Sequence, residues 1–174
     1  MTEKTRNLVR VVSAPLRIDI AGGSLDIQPI PSEMGPVHIV SAAINHRVEG
    51  ILRLNDDAGD PACTLAYSMP KGIRTSAGLG SSGCMNVVWL AAITGSSDKH
   101  WLAESVYYME KATGVVGGVQ DQFTACYGGV NLIKMNGDRT WILPRFSKDN
   151  AVAVQRLNDC LVLGDSLITR SATD

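Results

Sequence analysis

Residues 75–83 read Thr-Ser-Ala-Gly-Leu-Gly-Ser-Ser-Gly and stand directly before a strongly apolar segment. The glycines let backbone N–H groups approach an anion closely, and a helix beginning here would add unpaired N–H donors and about half a positive charge. The hydroxyls of Ser81 and Ser82 could bind phosphate oxygens or Mg²⁺. The stretch therefore predicts a phosphate site, and the alternative is a glycine-rich turn that only packs a helix.

The same stretch contains the pattern G-x-G-x-x-G, formed by Gly78, Gly80 and Gly83, which is typical of dinucleotide-binding folds. That interpretation is weak, because residues 71–76 do not form the apolar strand that should precede the pattern. The acidic residue at the expected distance, Glu104, falls within a helical pattern and not at a strand end. The sequence contains no G-K-[ST], so a Walker P-loop is excluded.

The order of strand-like and helical segments predicts the fold class. Segment 81–94 is apolar around nearly its whole circumference, which predicts a buried helix. Further helices are expected over 99–113, capped by Asp98, and over 120–127. Strand-like runs cover residues 8–13, 17–21, 38–54, 63–68, 131–135, 140–143 and 160–163. Pro15 separates the first two runs, and the run over 38–54 has a break near Asn45. A loop is expected over 22–36 and a turn over 55–61. Strands, then helices, then strands predict an α+β domain.

Composition limits the classes of function. The 174 residues carry 16 Lys and Arg against 17 Asp and Glu, so no basic surface for nucleic acid or for a membrane is expected. A hydrophobic content of 45% excludes disorder, and the length predicts one domain. The longest apolar run, residues 87–93, is far shorter than the roughly 20 residues of a membrane-spanning helix. Residues 1–7 lack the apolar core of a signal peptide, so a cytoplasmic location is expected.

The four cysteines, Cys63, Cys84, Cys126 and Cys160, stand far apart in the sequence. They form no C-x-x-C pair, and no histidine lies at metal-ligand spacing from them. Most have apolar neighbours, so the sequence predicts buried free thiols in a reducing compartment.

Two further stretches combine charged residues with double glycines. Residues 14–26 read Ala-Pro-Leu-Arg-Ile-Asp-Ile-Ala-Gly-Gly-Ser-Leu-Asp, and an ion pair beside a turn is the structural alternative to a binding site. Residues 117–123 read Gly-Gly-Val-Gln-Asp-Gln-Phe, which puts Asp121 in the first turn of a short helix, where ordinary capping is the alternative. Glu110, late in the preceding helix, reads by itself as a solvated surface residue.

Taken together, these stretches resemble the GHMP small-molecule kinases. The resemblance rests on Ala14-Pro15-Leu16-Arg17-Ile18 with Ala21-Gly22-Gly23 and Asp26, on Gly78-Leu79-Gly80-Ser81-Ser82, and on Gly118-Val119-Gln120-Asp121-Gln122 with Tyr127-Gly128-Gly129-Val130-Asn131. The sugar branch, with heptose 7-phosphate kinases and the kinase part of fucose kinases, is most similar. The resemblance implies the GHMP kinase N-terminal domain, an α+β fold like ribosomal protein S5 domain 2, with a mixed sheet covered by helices.

The resemblance also implies an activity: ATP-dependent phosphorylation of a sugar or sugar-phosphate hydroxyl, assisted by Mg²⁺. Carried over residue by residue, it implies a phosphate cradle made of Gly78, Leu79, Gly80, Ser81, Ser82 and Gly83. It implies Mg²⁺ ligands at Ser82 and Glu110.

For the acceptor side, the resemblance implies that Asp121 is the catalytic carboxylate. Arg17 would lie beside it and balance charge on the transferred phosphoryl group. Asp26, with the Gly22-Gly23 backbone, would bind the sugar hydroxyls. The expected partner is thus a small molecule.

Two departures from the family shape the remaining expectations. Thr is usual at the position of Leu25, and family members continue into a second lobe. We therefore expect residues 1–174 to be the N-terminal ATP-binding domain, with the C-terminal GHMP domain outside this chain. A missing lobe would leave apolar surface exposed, which favours a homo-oligomer or a partner chain that covers it. The alternative function is a catalytically silent nucleotide-binding or scaffold relative of the kinase fold.

Overall fold

The computed structural model describes residues 8–55, 62–137, 139–143, 151–162 and 164. The strands in this part of the chain are β1 (Leu8–Ala21), β2 (Val37–Asn55), β3 (Ala62–Ser68), β4 (Val130–Asn136) and β5 (Arg139–Leu143). The helices are α1 (Ile30–Glu33), α2 (Ser81–Thr94), α3 (Lys99–Ala112), α4 (Gln120–Tyr127) and α5 (Ala151–Cys160), with a short 3₁₀ helix at Gly23–Asp26. The three predicted helices are confirmed to within one residue at each end.

The sheet is built around β2. β1 pairs with β2 along one edge. On the other edge, residues 37–42 of β2 pair with β4, and residues 49–55 pair with β3. β5 continues the sheet beyond β4. The α+β class is confirmed, but every pairing among the described strands is antiparallel, where a mixed sheet was predicted.

The two predicted strand breaks, at Pro15 and near Asn45, are one feature of the structure. Both strands run through without ending, and their register shifts between Pro15 and Arg17. Pro15 faces Arg47 and Arg17 faces Ala43, so residues 44–46 form extra length on β2. A bulge of this kind accommodates a proline and bends both strands, and it lies where β2 changes partner from β4 to β3.

Helix α2 packs against β1 and β2 through the main core, in which Leu16, Val48 and Val88 have no exposed surface. Gly50 makes this close approach possible, because a Cβ at that position would overlap the Val88 side chain. The prediction that α2 is buried all round is wrong for one face. Trp89 is 37% exposed and Ile93 is 44% exposed.

Two polar contacts fix the ends of the helices that carry the site. The Asp98 carboxylate accepts from the backbone N–H groups of His100 and Trp101, both at 3.0 Å, so the predicted cap of α3 is confirmed. At the end of α2, Arg10 Nη1 on β1 donates to the carbonyl oxygens of Ala92 and Ile93, at 2.9 and 2.8 Å. A cation at a helix C-terminus satisfies free carbonyls and stabilises the helix dipole.

The last predicted strand, residues 160–163, is wrong: Cys160 ends α5, and residues 161–162 have no regular structure. Most of the predicted turn over residues 55–61, and all of the polar segment 1–7, lie outside the described residues. The described cysteines are free, as predicted, but Cys63 and Cys160 are exposed and only Cys84 is fully buried. In the described ranges, no helix is long and apolar enough to cross a membrane.

Candidate active site

The glycine-rich stretch forms a loop that leads into α2. Gly78 and Gly80 have φ angles of 77° and 69°, in the left-handed region that favours glycine. Leu79 between them is buried, and its carbonyl oxygen accepts from the backbone N–H of Arg17 at 3.1 Å. The loop is therefore anchored to β1, and it presents the first turn of α2, with Ser81 buried and Ser82 exposed.

Arg17 joins this loop to the first turn of α4. Its Nε donates to Asp121 Oδ1 at 2.6 Å, and its Nη2 lies 2.5 Å from the same oxygen. Its Nη1 donates to the carbonyl oxygen of Gly78 at 2.8 Å. The side chains of Arg17 and Asp121 are 14% and 28% exposed, so the ion pair is partly accessible to solvent.

Two glycines bring α2 and α4 together at the ion pair. A Cβ at Gly83 would lie 2.8 Å from Asp121 Cβ, which no side chain tolerates without a shift. A Cβ at Gly80 would lie 3.1 Å from Asp121 Cγ. The structure thus unites the predicted phosphate loop, Arg17 and Asp121, while their catalytic and binding roles stay predictions. Helix N-termini carry partial positive charge, and those of α2 and α4 meet here.

Glu110 is held between three helices. Asn86 Nδ2 of α2 donates to Glu110 Oε1 at 2.6 Å, and Gln122 Nε2 of α4 donates to Glu110 Oε2. Burial raises the pKa of Glu110, and the two amide hydrogen bonds partly oppose this effect. The interpretation of Glu110 as a solvated surface residue is therefore wrong.

The residues at this place fit a magnesium ion bound together with phosphate. Asn86, which contacts Glu110, stands one helical turn after Ser82 on α2, so it lies on the same side of the helix. Hydroxyl and carboxylate oxygens are ligands that Mg²⁺ prefers, and Mg²⁺ usually takes its other ligands from phosphate and water. The described residues contain no group of three His, Cys, Asp or Glu side chains that could hold a metal ion.

Asp26 lies behind the site and has no exposed surface. Its Oδ2 accepts from the backbone N–H groups of Val119 and Gln120, at 2.7 and 3.0 Å, so it caps α4. Its Oδ1 is buried and has no partner among the described residues. Burial raises the pKa of Asp26, against the effect of the backbone donors. Sugar binding by Asp26 stays a prediction, but the side chain has no exposed surface through which a sugar could contact it directly.

Three glycines near Asp26 in the sequence or in space, Gly22, Gly23 and Gly118, have close contacts. Gly22 has a φ angle of 103°, and a Cβ there would lie 2.7 Å from the carbonyl oxygen of His38. Gln120 Nε2 donates to the carbonyl oxygen of Gly23 at 2.9 Å. A Cβ at Gly118 would overlap the Asp26 carboxylate. Of the predicted substrate residues, Gly22 is thus packed against β2 and Gly23 is hydrogen-bonded to the start of α4.

Sequence reasoning missed Asn86, Gln122 and the capping role of Asp26. The position of Asn86, one turn after Ser82, and that of Gln122, next to Asp121, were the available signals. Neither separates a functional amide from an ordinary polar helix residue.

Comparison with known proteins gives one family and a set of solved structures. The family model for the GHMP kinases N terminal domain matches residues 42–129, just over half of the chain. No curated protein matches the sequence significantly. One similar solved structure is a mevalonate kinase, with 14% identity and a TM-score of 0.57, covering 78% of this chain and 56% of that one. Another is the Methanococcus jannaschii mevalonate kinase, with 16% identity and a TM-score of 0.55, covering 76% and 55%.

These likenesses establish the fold, and the chain spans about half the length of the two mevalonate kinases. The matched residues include the loop, Glu110 and Asp121, whereas Arg17 and Asp26 lie before them. Because the family model covers half of the sequence, the chain belongs to the GHMP kinases and contains their N-terminal domain.

Proposed function

We propose that this chain is the nucleotide-binding and acceptor-binding lobe of a kinase that transfers the terminal phosphoryl group of ATP to a small-molecule hydroxyl. One observation carries the proposal: Asp121 is paired with Arg17 and lies directly against Gly80 and Gly83, where the glycine-rich loop enters α2. A carboxylate that can accept a proton and a cradle for anionic phosphate thus share one site.

Phosphoryl transfer depends mainly on positioning and on neutralising charge, which suits this arrangement. The backbone N–H groups after Leu79 would hold the phosphates, together with the hydroxyls of Ser81 and Ser82. Mg²⁺ would be bound by Ser82 and Glu110. Asp121 would accept the proton of the acceptor hydroxyl, and Arg17 would offset negative charge on the transferred group.

For the acceptor, we propose a sugar or sugar phosphate. Support comes from residues 14–26, whose pattern resembles the sugar branch of the family. Gly22 and Gly23 would contribute to its binding surface, and the fully buried Asp26 would support it through its hydrogen bonds to the start of α4. We further propose that residues 1–174 act with a C-terminal lobe, a second copy or a partner chain, because the described surface leaves Trp89, Ile93 and other apolar side chains exposed.

The test is ADP release from ATP and Mg²⁺ in the presence of a panel of heptoses, heptose 7-phosphates, hexoses and mevalonate, with direct titration of nucleotide binding. We expect acceptor-dependent ADP release with at least one sugar, and release about 10²- to 10⁴-fold slower with the Asp121→Asn variant as a matched control. Release with mevalonate alone would refute the sugar acceptor. Saturating nucleotide binding without turnover on any acceptor would favour the catalytically silent relative.

A further inference from the structure

We infer that Asn86 and Gln122 are positioning residues that fix the Glu110 carboxylate for binding Mg²⁺ with the nucleotide. The inference rests on the proposed function, because it concerns the same site. It adds two side chains to that site which the sequence motifs did not assign.

The geometry points to a clamp. Asn86 and Gln122 come from different helices and each donates to a different oxygen of Glu110. Two hydrogen bonds, donated from two different helices to the two carboxylate oxygens, fix the plane of the carboxylate as well as its position. Each carboxylate oxygen accepts more than one hydrogen bond or metal contact, so both oxygens keep a site for a cation.

Charge explains why the two side chains that donate to Glu110 are uncharged amides. Glu110 is half-buried, and a metal binds a carboxylate in its ionised form. Amide N–H donors stabilise the ionised form without adding a positive charge that would repel Mg²⁺. An arginine or lysine at either position would neutralise the carboxylate and compete with the metal.

The surroundings of Gln122 show that its amide is not there for packing alone. Gln122 is 2% exposed, and its Oε1 is buried with no partner among the described residues. A buried acceptor without a partner destabilises the fold. Methionine would fill a similar volume without that cost, so what glutamine adds at this position is the Nε2 donor to Glu110.

The experiment compares nucleotide affinity with and without Mg²⁺ in the 174-residue chain. The probe is the non-hydrolysable analogue AMP-PNP, titrated calorimetrically with excess Mg²⁺ or with EDTA. The Mg²⁺-dependent gain in affinity is the quantity compared. The variants are Gln122→Met and Asn86→Ala, each of which removes one donor to Glu110.

Gln120→Met is the matched control. Gln120 is also a buried glutamine of α4, and its Oε1 also lacks a partner in the described part of the chain. Its Nε2, however, donates to Gly23 and not to Glu110. A merely structural role would affect both glutamine variants alike, whereas a role through Glu110 would separate them.

Loss of an outer contact of a metal ligand costs about 10- to 100-fold in metal affinity. We expect Gln122→Met and Asn86→Ala to lower the Mg²⁺-dependent gain by about 10-fold, with affinity in EDTA unchanged, and Gln120→Met to keep the full gain. An unchanged gain in Gln122→Met, or an equal loss in Gln120→Met, would overturn the inference. If Gln122→Met does not fold, Asn86→Ala, at a half-buried position, decides by the same criterion.

The parent chain separates this inference from the proposed function. No Mg²⁺-dependent binding of AMP-PNP by the parent would overturn both. A Mg²⁺-dependent parent with indifferent variants would overturn only the positioning role.

Discussion

Arg17 binds Asp121 through one carboxylate oxygen: Nε and Nη2 both reach Oδ1, at 2.6 and 2.5 Å. The ion pair therefore orients the carboxylate without involving Oδ2. A general base needs an oxygen that can accept a proton from the acceptor hydroxyl, and Oδ2 is the atom this geometry leaves for that step.

Replacing Asp121 by Asn should remove the base and keep the shape of the site. A positioned base contributes about 10²- to 10⁴-fold, so we expect the turnover number to fall by that factor. Nucleotide affinity should stay nearly unchanged, because the loop and Ser82 are intact. Steady-state rates and calorimetric binding check both parts. Equal turnover in variant and parent would remove Asp121 from the mechanism.

Replacing Ser82 by Ala should weaken nucleotide binding in the presence of Mg²⁺. A hydrogen bond to a charged group contributes about 1.5–3 kcal/mol, which is about 10- to 100-fold in affinity. The same titration in EDTA is the internal control and should change less. If the affinity with Mg²⁺ were equal to that of the parent, Ser82 would not belong to the cradle.

Replacing Gly118 by Ala should destabilise the fold, because the new Cβ would overlap the buried Asp26 carboxylate. Overpacking of this kind costs about 1–3 kcal/mol. Gly117→Ala is the matched control, since a Cβ at Gly117 meets nothing within 4 Å. The free energies of unfolding in urea should therefore differ between the two variants. Equal values would mean that the Asp26 cap can move freely.

Replacing Asp26 by Ala should remove the cap of α4. An exposed cap contributes about 0.5–2 kcal/mol, and Asp98→Ala at the start of α3 provides that reference. The loss at Asp26 should exceed it, because the freed N–H groups of Val119 and Gln120 are buried and cost about 1–3 kcal/mol when left unpaired. Urea unfolding of the two variants measures the difference. A smaller loss at Asp26 would contradict a capping role.

The buried Glu110 carboxyl gives a pH dependence with a definite sign. Burial raises the pKa of Glu110 above its ordinary value of 4.5, so the folded chain binds this proton more tightly than the unfolded chain does. The contribution of Glu110 to stability therefore improves as the pH falls from 7 through its raised pKa to about 4.5. The Glu110→Gln variant has no carboxyl at this position, so its free energy of unfolding lacks this pH-dependent contribution.

We thus expect the stability of the parent, relative to Glu110→Gln, to rise as the pH is lowered over that window. Urea unfolding at several pH values measures it. A relative stability that falls on acidification would mean that the pKa of Glu110 is lowered in the folded state.

The elements that sequence reasoning predicted well are those with local causes. Helix α3 begins where the Asp98 side chain can cap it, and α2 begins after a glycine with positive φ. The bulge was misread as two separate breaks, because Pro15 and Asn45 are 30 positions apart and only the strand register shows that they are neighbours.

The site was predictable only in part, for a similar reason. The contact between Arg17 and Asp121 spans 104 positions, and it was expected from the resemblance to a family and not from any local pattern. The roles of Gln122 and Asp26 depend on which side chains three helices and a 3₁₀ turn bring together. Charge and spacing along the chain do not carry that information.

The arginines of β1 hold both ends of α2, with Arg10 at its last carbonyls and Arg17 at the loop before its first turn. The seven strand positions from Arg10 to Arg17 span about 23 Å, and the 14-residue helix α2 is about 21 Å long. The strand segment and the helix therefore match in length. Adding one turn to the helix, about 5.4 Å, would require about two more strand residues, which also preserves the alternation of faces. Insertions in either segment alone should therefore be rare among natural relatives, and coordinated ones tolerated.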